Sequence, residues 1–278
     1  MDQQRTITSA QQPSPSSSRP RVVILGAGNV ATHLSQALAG VANVCQVWSR
    51  SQASAERLAA LLPDAQPVSS FDNIVRDADF YIISVPDDAV ASVSAALGSV
   101  NGIVAHTSGS VPVTAIAQKG GGVFYPLQTF SRTTPVCVEQ VPFFIEGTTA
   151  EACMALKSLA ASISESVHEA DSAHRAVLHL AAVIACNFAN HMWAIAQDQL
   201  QRGGYDLDVF GPLLHETLRK ALANGAFASQ TGPAVRGDNA VMQAHEAKLS
   251  GDEARLYRLI SSMIVDSHHS KTKANEQD

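Results

Sequence analysis

Short apolar runs alternate with amphipathic stretches from residue 21 to about residue 170. Runs of the length typical of buried strands lie at residues 22–25, 44–48, 78–85, 103–106, 123–125 and 143–145. Two shorter runs predict further strands near residues 67–69 and 166–168. Apolar residues with helical spacing lie between the strands, at 30–38, 53–62 and 89–97. This alternation predicts an α/β domain with a mostly parallel sheet over residues 21–170.

From residue 171 onward the pattern is helical only. Asp171 can cap a helix that the apolar spacing extends to about Arg202, where two glycines would end it. Shorter helical stretches follow at 211–224, 239–249 and 252–266. We therefore predict an all-helical second domain over residues 171–267. The polar segments 1–20 and 268–278 are predicted to be disordered tails.

Composition and charge narrow the classes of partner. The net charge is −6, and no cluster of Lys and Arg is present, which argues against binding to nucleic acid or to an anionic membrane. The four cysteines lack the spacing of a zinc site, so we predict no metal. We find neither the apolar core of a signal peptide nor an apolar stretch long enough to span a bilayer. We expect a cytoplasmic protein that binds small molecules.

The first strand runs directly into a glycine-rich turn, Gly26-Ala27-Gly28-Asn29-Val30-Ala31. This is the G-x-G-x-x-A form of a dinucleotide-binding turn. Gly26 allows the tight turn, Gly28 lets a pyrophosphate approach the backbone, and Ala31 keeps the next helix close to the sheet. The amides at the start of that helix then face the phosphates. We predict a Rossmann doubly wound sheet, with Gly26, Gly28, Asn29 and Val30 at the cofactor.

The end of the second strand indicates which dinucleotide binds. An acidic residue at this place would bind the adenosine ribose of NAD, but the sequence reads Ser49-Arg50-Ser51. A guanidinium between two hydroxyls suits a 2′-phosphate. The predicted cofactor is therefore NADP(H). The alternative is that Arg50 is only a solvated loop residue.

The ends of the next two strands carry polar residues that should border the cofactor. Ligands of an open α/β sheet bind at the carboxyl ends of its strands. We therefore assign Ser84, Val85, Pro86, Thr107 and Ser108 to the cofactor site. We also assign Ser108 to substrate binding, together with Gly109. The backbone of Gly109 could donate a hydrogen bond to the substrate. The alternative for Gly109 is that it merely turns the chain.

A set of motifs beyond the glycine turn carries a specific family resemblance. In chain order they are SVPDD at 84–88, HTSGS at 106–110, YPLQTF at 125–130, HLAA at 179–182, NFANH at 187–191 and TGPAVRGD at 231–238. With these motifs, residues 21–266 resemble a family of poorly characterised bacterial oxidoreductases. Members have a Rossmann-like N-terminal domain and a helical C-terminal domain of unknown function. More distantly, the layout is similar to pyrroline-5-carboxylate reductase, prephenate dehydrogenase and 6-phosphogluconate dehydrogenase-like enzymes.

The resemblance implies an NADP-linked reductase or dehydrogenase that forms a homodimer through its helical domain. It does not imply a substrate. The hydroxyacid dehydrogenase relatives carry a Lys one turn before the Asn that corresponds to Asn187, and here that position is Val183. Their acid/base group is therefore not carried over to this chain.

Two residues of the long helix are candidates for the chemistry instead. Asn187 and His191 are one turn apart, and a histidine with a near-neutral pKa can deliver a proton to a reduced carbonyl or imine. We predict His191 as the proton donor and Asn187 as a residue that orients the substrate. Structural roles for both remain the alternative, and His174 and Tyr125 remain substitutes for the acid.

Arg236 is the candidate for binding a substrate carboxylate, because a guanidinium can hold a carboxylate with two hydrogen bonds. An Arg236–Asp238 network that only holds the loop is the alternative. Together these assignments predict an NADP(H)-dependent oxidoreductase that transfers hydride to or from a small carbonyl, imine or hydroxyacid bound between the domains. An inactive NADP(H)-binding sensor is the main alternative, and a module for a flavin or deazaflavin is a third.

Overall fold

The computed structural model describes residues 19–275, which divide into two compact units between Cys186 and Asn187. The predicted N-terminal tail therefore lies outside the described residues, apart from residues 19 and 20. The first unit contains every strand of residues 19–275, and the described part of the second unit is helical apart from its connecting segments.

The first unit is built on an eight-stranded sheet. Its strands are β1 (Arg21–Leu25), β2 (Asn43–Trp48), β3 (Gln66–Val68), β4 (Phe80–Ile83), β5 (Ile103–His106), β6 (Gly122–Pro126), β7 (Phe143–Gly147) and β8 (Val167–Glu169). The strand order is β3-β2-β1-β4-β5-β6-β7-β8, and every pair is parallel except β6 with β7. The α/β doubly wound fold that the sequence predicts is thus confirmed.

The order of the strands places a crevice at the ends of β1 and β4. From β1 the chain moves outward to β2 and β3, then crosses to β4 on the other side of β1. Neighbouring loops therefore leave β1 and β4 in opposite directions, which opens a ligand crevice at their carboxyl ends.

Helices cover both faces of the sheet and bury it. Helices α1 (Asn29–Ala39), α2 (Gln52–Ala59) and α4 (Ala150–Ala161) pack on one face, and α3 (Val90–Leu97) packs on the other. Strand β1 shows why its sequence is continuously apolar. Val22 and Ile24 join one core cluster, whereas Val23 and Leu25 join the other, because successive side chains of a strand point to opposite faces.

The sequence predicts one continuous helix from Asp171 to about Arg202. The structure corrects this prediction. The segment consists of α5 (Ser172–Ala182), a π-helical turn (Val183–Phe188) and α6 (Ala189–Arg202). A π-turn adds a residue to the helical turn, and Asn187, predicted to lie one α-helical turn before His191, falls within it. Apolar periodicity alone does not reveal such a turn.

The same segment corrects the expectation that no stretch is apolar enough to span a bilayer. By length and composition Ser172–Arg202 is able to do so, and none of its most apolar stretch is buried within the chain. Its apolar side chains are exposed, as in Val177 and Phe188. These side chains form a face that could be covered by another molecule.

The second unit continues with α7 (Gly211–Asn224), α8 (Pro233–Arg236), α9 (Asn239–Glu246) and α10 (Gly251–Asn275). The last helix runs beyond residue 266, where the apolar pattern predicts its end, and through most of the segment predicted to be a disordered tail. Residues 276–278 of that tail lie outside the described chain.

Candidate active site

Gly26 brings the end of β1 against the end of β4. Its backbone φ of +130° is a conformation that other residues rarely adopt. A Cβ at this position would lie 1.9 Å from the carbonyl oxygen of Ser84. The Gly26 amide donates to the carbonyl of Trp48 at 2.8 Å. The turn therefore joins the ends of three neighbouring strands, and glycine is required for it.

Gly28 and the start of α1 leave an open anion site. A Cβ on Gly28 would meet no atom of the described chain within 4 Å, so the space beside it is free. Gly28 is the N-cap residue of α1, and neither a side-chain cap nor an acidic residue occupies the first turn. The amides there are free to bind an anion, which the helix dipole also favours.

Most of the predicted site residues of the first unit line one cleft. Its volume of about 630 Å³ is usual for a ligand site. The predicted residues that line it are Gly26, Gly28, Asn29, Val30, Ser49, Arg50, Ser84, Val85, Pro86, Thr107, Ser108 and Gly109. Ser51 is not among them. Its hydroxyl instead accepts a hydrogen bond from the Ser54 amide and caps α2, while Ser54 lines the cleft in its place.

A second cation reaches this cleft from a loop that the sequence did not indicate. The guanidinium of Arg132 donates to the carbonyl of Ala27 at 2.9 Å, inside the glycine turn. The loop is held there because the Asn29 amide group donates to the carbonyl of Phe130 at 3.0 Å and His33 bonds the carbonyl of Ser131 at 2.7 Å. Nothing in the local sequence of this loop relates it to a turn about a hundred residues earlier.

The loop after β5 forms the polar end of the cleft. The Thr107 hydroxyl lies 3.3 Å from that of Ser84. The Ser108 hydroxyl accepts from the amides of Ser110 and Val111, both at 3.1 Å, and the Ser110 hydroxyl donates to the carboxylate of Asp87. These bonds hold the loop in one conformation beside the cleft.

Two further side chains complete this end: Tyr125, predicted only as a substitute for the acid, and His179, which had no predicted role. Tyr125 lies on β6 and His179 on α5, and both line the cleft. The Tyr125 hydroxyl is 3.2 Å from Nδ1 of His179. A Cβ on Gly109 would lie 2.7 Å from both residues. Glycine is needed at 109 because this close approach leaves no space for a side chain.

His106 is hydrogen-bonded to the loop after β5. It is fully buried, and burial, with a smaller contribution from Arg175, lowers its pKa to about 4. The imidazole is therefore neutral at pH 7. Its Nδ1 accepts from the Ser108 amide at 3.2 Å, which places the remaining proton on Nε2.

Arg175 ties the start of α5 to the sheet and to the same loop. Its side chain is fully buried and forms a salt bridge with Glu146 of β7. The guanidinium also donates to the carbonyl of Val111 at 2.5 Å. The Ser172 hydroxyl donates to Glu146 at 2.8 Å and accepts from the Val113 amide at 3.0 Å. α5 is thus an integral part of the first unit.

Two family models together cover most of the chain. Residues 6–127 match a Rossmann-like domain, and residues 141–264 match the domain of unknown function DUF2520. The solved structure of a protein from Bacteroides fragilis named "putative NADP oxidoreductase" shares 38% identity, with a TM-score of 0.83. The match covers 89% of this chain and 98% of that one.

The chain belongs to this family of NADP oxidoreductases. The resemblance inferred from the motifs is thereby confirmed.

Other solved structures share the fold of this NADP oxidoreductase at low identity. An imine reductase from Pseudomonas sp. is 15% identical, with a TM-score of 0.63 and coverage of 93% of this chain and 95% of that one. A reductive aminase from Aspergillus terreus, in complex with NADPH and ethyl levulinate, is 14% identical, with a TM-score of 0.64 and coverage of 90% and 94%. No curated protein matches the chain.

The remaining predicted residues of this NADP oxidoreductase lie in the second unit. Asn187 falls in the π-turn and is exposed, as is His191. His191 borders a shallow hollow with charged neighbours on α10, among them Asp252 and Arg255. Their predicted roles as orienting residue and proton donor stay predictions.

Arg236 forms the network with Asp238 that was given above as the alternative to substrate binding. Its guanidinium makes two bonds with the carboxylate of Asp238, at 2.8 and 2.7 Å. A substrate carboxylate would have to compete with that bonded pair. His174, a substitute for the acid, is exposed and bonds Asp171, the N-cap of α5, at 2.7 Å. Among the described residues no group of ligands could hold a metal ion.

Proposed function

We propose that this NADP oxidoreductase binds NADP(H) in the cleft of the first unit and transfers a hydride between the nicotinamide and a small carbonyl, imine or hydroxyacid substrate. The observation that carries the proposal is the convergence, in one cleft, of the glycine turn, two guanidinium groups and the polar loop after β5. Few other ligands would use all three features.

Different residues of the cleft would bind different parts of the cofactor. The amides at the start of α1, with Arg132 beside Ala27, would hold the pyrophosphate. Arg50, with the hydroxyls of Ser49 and Ser54, would hold the 2′-phosphate. Thr107 and Ser108 would lie at the nicotinamide. The two guanidinium groups that line the same cleft as the glycine turn support this assignment, and the bound cofactor would supply the hydride.

The proposed substrate class is supported by the chemistry of hydride transfer and by the proteins that share the fold. A hydride acceptor needs a polarised C=O or C=N bond, and the loop after β5 offers hydroxyl and amide donors for its oxygen or nitrogen. The imine reductase and reductive aminase that share the fold favour C=N substrates within this class. The occupied guanidinium of Arg236 gives 2-oxoacids and hydroxyacids less support.

The test begins with binding. Titration with NADPH and NADH, followed by nicotinamide fluorescence, should give tighter binding of NADPH. Arg50→Ala should lower the NADPH affinity at least tenfold and leave NADH affinity unchanged, because only the 2′-phosphate is affected. Arg255→Ala, which removes an exposed arginine of the second unit, is the control with the same change in charge.

Turnover separates an enzyme from a sensor. NADPH oxidation is then followed with cyclic imines, ketones and 2-oxoacids. A protein that binds NADPH tightly and oxidises it with none of them would favour the sensor. Failure to bind either nucleotide would contradict the proposal, and a coloured purified protein would point to a flavin.

We also propose that a second copy of this chain covers the apolar face of the segment Ser172–Arg202. Val177 is 68% exposed and Phe188 is 59% exposed, and such apolar patches mark interfaces. Polar residues on the same segment, including Asn187 and Asp198, would be costly in lipid. A two-fold dimer can bury one such face against its equivalent.

The oligomeric state tests this part. Sedimentation or light scattering should give a dimer, and Val177→Lys together with Phe188→Lys should give a monomer. Leu61→Lys changes another exposed apolar residue of the first unit and should leave the dimer intact. A wild-type monomer, or recovery of the protein in the membrane fraction, would contradict the dimer.

A further inference from the structure

The phenol of Tyr125 and the imidazole of His179 form a hydrogen-bonded pair at the polar end of the cleft. Their contact joins the carboxyl-terminal half of β6 to the middle of α5. The rings meet edge to face, with centroids 6.1 Å apart. Neither residue is used by the proposed cofactor site, although both line the cleft that contains it.

The position of the pair is set by the backbone of the loop after β5. Because a Cβ on Gly109 would lie 2.7 Å from Nδ1 of His179 and from Cζ of Tyr125, the loop passes directly against both rings. Thr107 and Ser108, the residues placed at the nicotinamide, immediately precede this contact. The pair is therefore adjacent to the place where a substrate would accept hydride.

The surroundings keep the phenol protonated. Burial raises the pKa of Tyr125, Asp87 raises it further, and Arg175 opposes both. Arg175 is neutralised by its bond to Glu146. His106, which also lies at the end of β5, is neutral and bonded to the Ser108 amide. Tyr125 thus holds a proton at pH 7, and the half-exposed His179 is its only bonded partner given by the structure of the described chain.

We propose that Tyr125 is the general acid of the reduction and that His179 returns a proton to it. This inference rests on the proposed hydride transfer. It assigns the chemistry to β6 and α5 rather than to His191.

The proton and electrons balance as follows. When the substrate carbon receives the hydride, the electron pair of its double bond moves to the oxygen or nitrogen. The O–H bond of Tyr125 breaks, and its proton goes to that atom. The resulting phenolate takes a proton from Nδ1 of His179. The other ring nitrogen of His179 takes a replacement proton from water, which leaves hydroxide in the solvent and which the partial exposure of His179 allows.

The test compares conservative variants of the full-length protein. Tyr125→Phe removes the proton and keeps the ring. His179→Asn keeps a polar group near the position of Nδ1 but cannot pass a proton. Tyr205→Phe and His215→Asn make the same changes at exposed residues of the second unit and serve as matched controls. The probes are 1-pyrroline, cyclohexanone and pyruvate, each with NADPH.

Tyr125→Phe should lower kcat by about a hundredfold or more, the usual contribution of a general acid. The NADPH dissociation constant should stay within about twofold, because no proposed cofactor contact is lost. His179→Asn should lower kcat less and should raise the solvent deuterium isotope effect on kcat, because proton return to Tyr125 then limits turnover, a change that a merely structural role would not produce. The two controls should match the wild type.

The outcomes separate this inference from the proposed function. Wild-type turnover that Tyr125→Phe leaves intact would overturn the inference alone, most clearly if His191→Asn abolished turnover. If the wild type reduced none of the probes while binding NADPH, both the proposed function and the inference that rests on it would be overturned.

Discussion

The Arg175 guanidinium of α5 forms a salt bridge with the Glu146 carboxylate of β7, and 0% of the Arg175 side chain is exposed. The Glu146 side chain is only 15% exposed. Removing one partner of a buried pair leaves the other charge uncompensated, which costs about 3–5 kcal/mol. This bond therefore holds the first turn of α5 on the sheet.

Glu146→Gln should lower the free energy of unfolding of the first unit by about 3 kcal/mol, because a neutral amide cannot compensate the guanidinium. Urea unfolding followed by circular dichroism measures the change. Combining Glu146→Gln with Arg175→Met should restore part of the loss, since no charge then remains buried. Glu216→Gln, in an exposed pair with Arg219, is the control and should leave the transition unchanged. Equal effects of the two Gln variants would contradict the assignment.

Gly26 and Gly28 should respond differently to alanine. Gly28→Ala meets no atom of the described chain, so the protein should fold with unchanged stability. The added methyl group would occupy the place proposed for the pyrophosphate, and NADPH affinity should fall at least tenfold. Fluorescence titration and thermal unfolding measure the two effects.

Gly26→Ala, by contrast, collides with the Ser84 carbonyl and should destabilise the fold itself. Normal NADPH binding by Gly28→Ala would show that the phosphates lie elsewhere.

Gly109→Ala should separate binding from turnover. Its methyl group would force Tyr125 and His179 away from the loop, so kcat should fall at least tenfold. NADPH affinity should change by less than about threefold, because the glycine turn is not disturbed. Steady-state kinetics with 1-pyrroline and a parallel NADPH titration provide the comparison. Gly120→Ala tests a glycine with open space around it, although its φ of +73° costs some stability. Unchanged kcat in Gly109→Ala would argue against a role for the pair.

The pH dependence of stability should contain a contribution from His106. Its folded pKa of about 4 lies below the ordinary value of 6.5, so the unfolded chain binds a proton that the folded chain does not. The contribution is fully present above pH 6.5 and is lost as the pH falls toward 4, by at most about 1.4 kcal/mol per pH unit. Urea unfolding at several pH values should show this slope.

His106→Asn keeps an acceptor near the Ser108 amide and does not titrate. It should therefore reduce the slope between pH 6.5 and 4. A variant with the wild-type slope would mean that another group causes the acid sensitivity.

Local patterns were sufficient to predict the sheet and many of the residues that line the cleft of the first unit. Strands such as β1 are continuously apolar because both faces of the sheet are covered, and the ends of β4 and β5 carry the polar residues that line the crevice. These are short-range features that the order of residues records directly.

Features that depend on distant parts of the chain were not predicted. Arg132 reaches Ala27 through a loop fixed by Asn29 and His33. His179 of α5 meets Tyr125 of β6, and Arg175 of the same helix binds Glu146 of β7. A signal did exist for Arg175, because an arginine among the apolar residues of a helix needs an acidic partner.

The way in which α5 is held has a consequence for how this protein could be divided. A fragment that ended at residue 170 would separate Glu146 from its only salt-bridge partner within the described chain and would also remove His179 from the cleft. A fragment extended through Cys186 would retain both. A fragment that keeps His179 in the cleft and Glu146 with its partner therefore includes the first eleven residues of helix that follow Asp171.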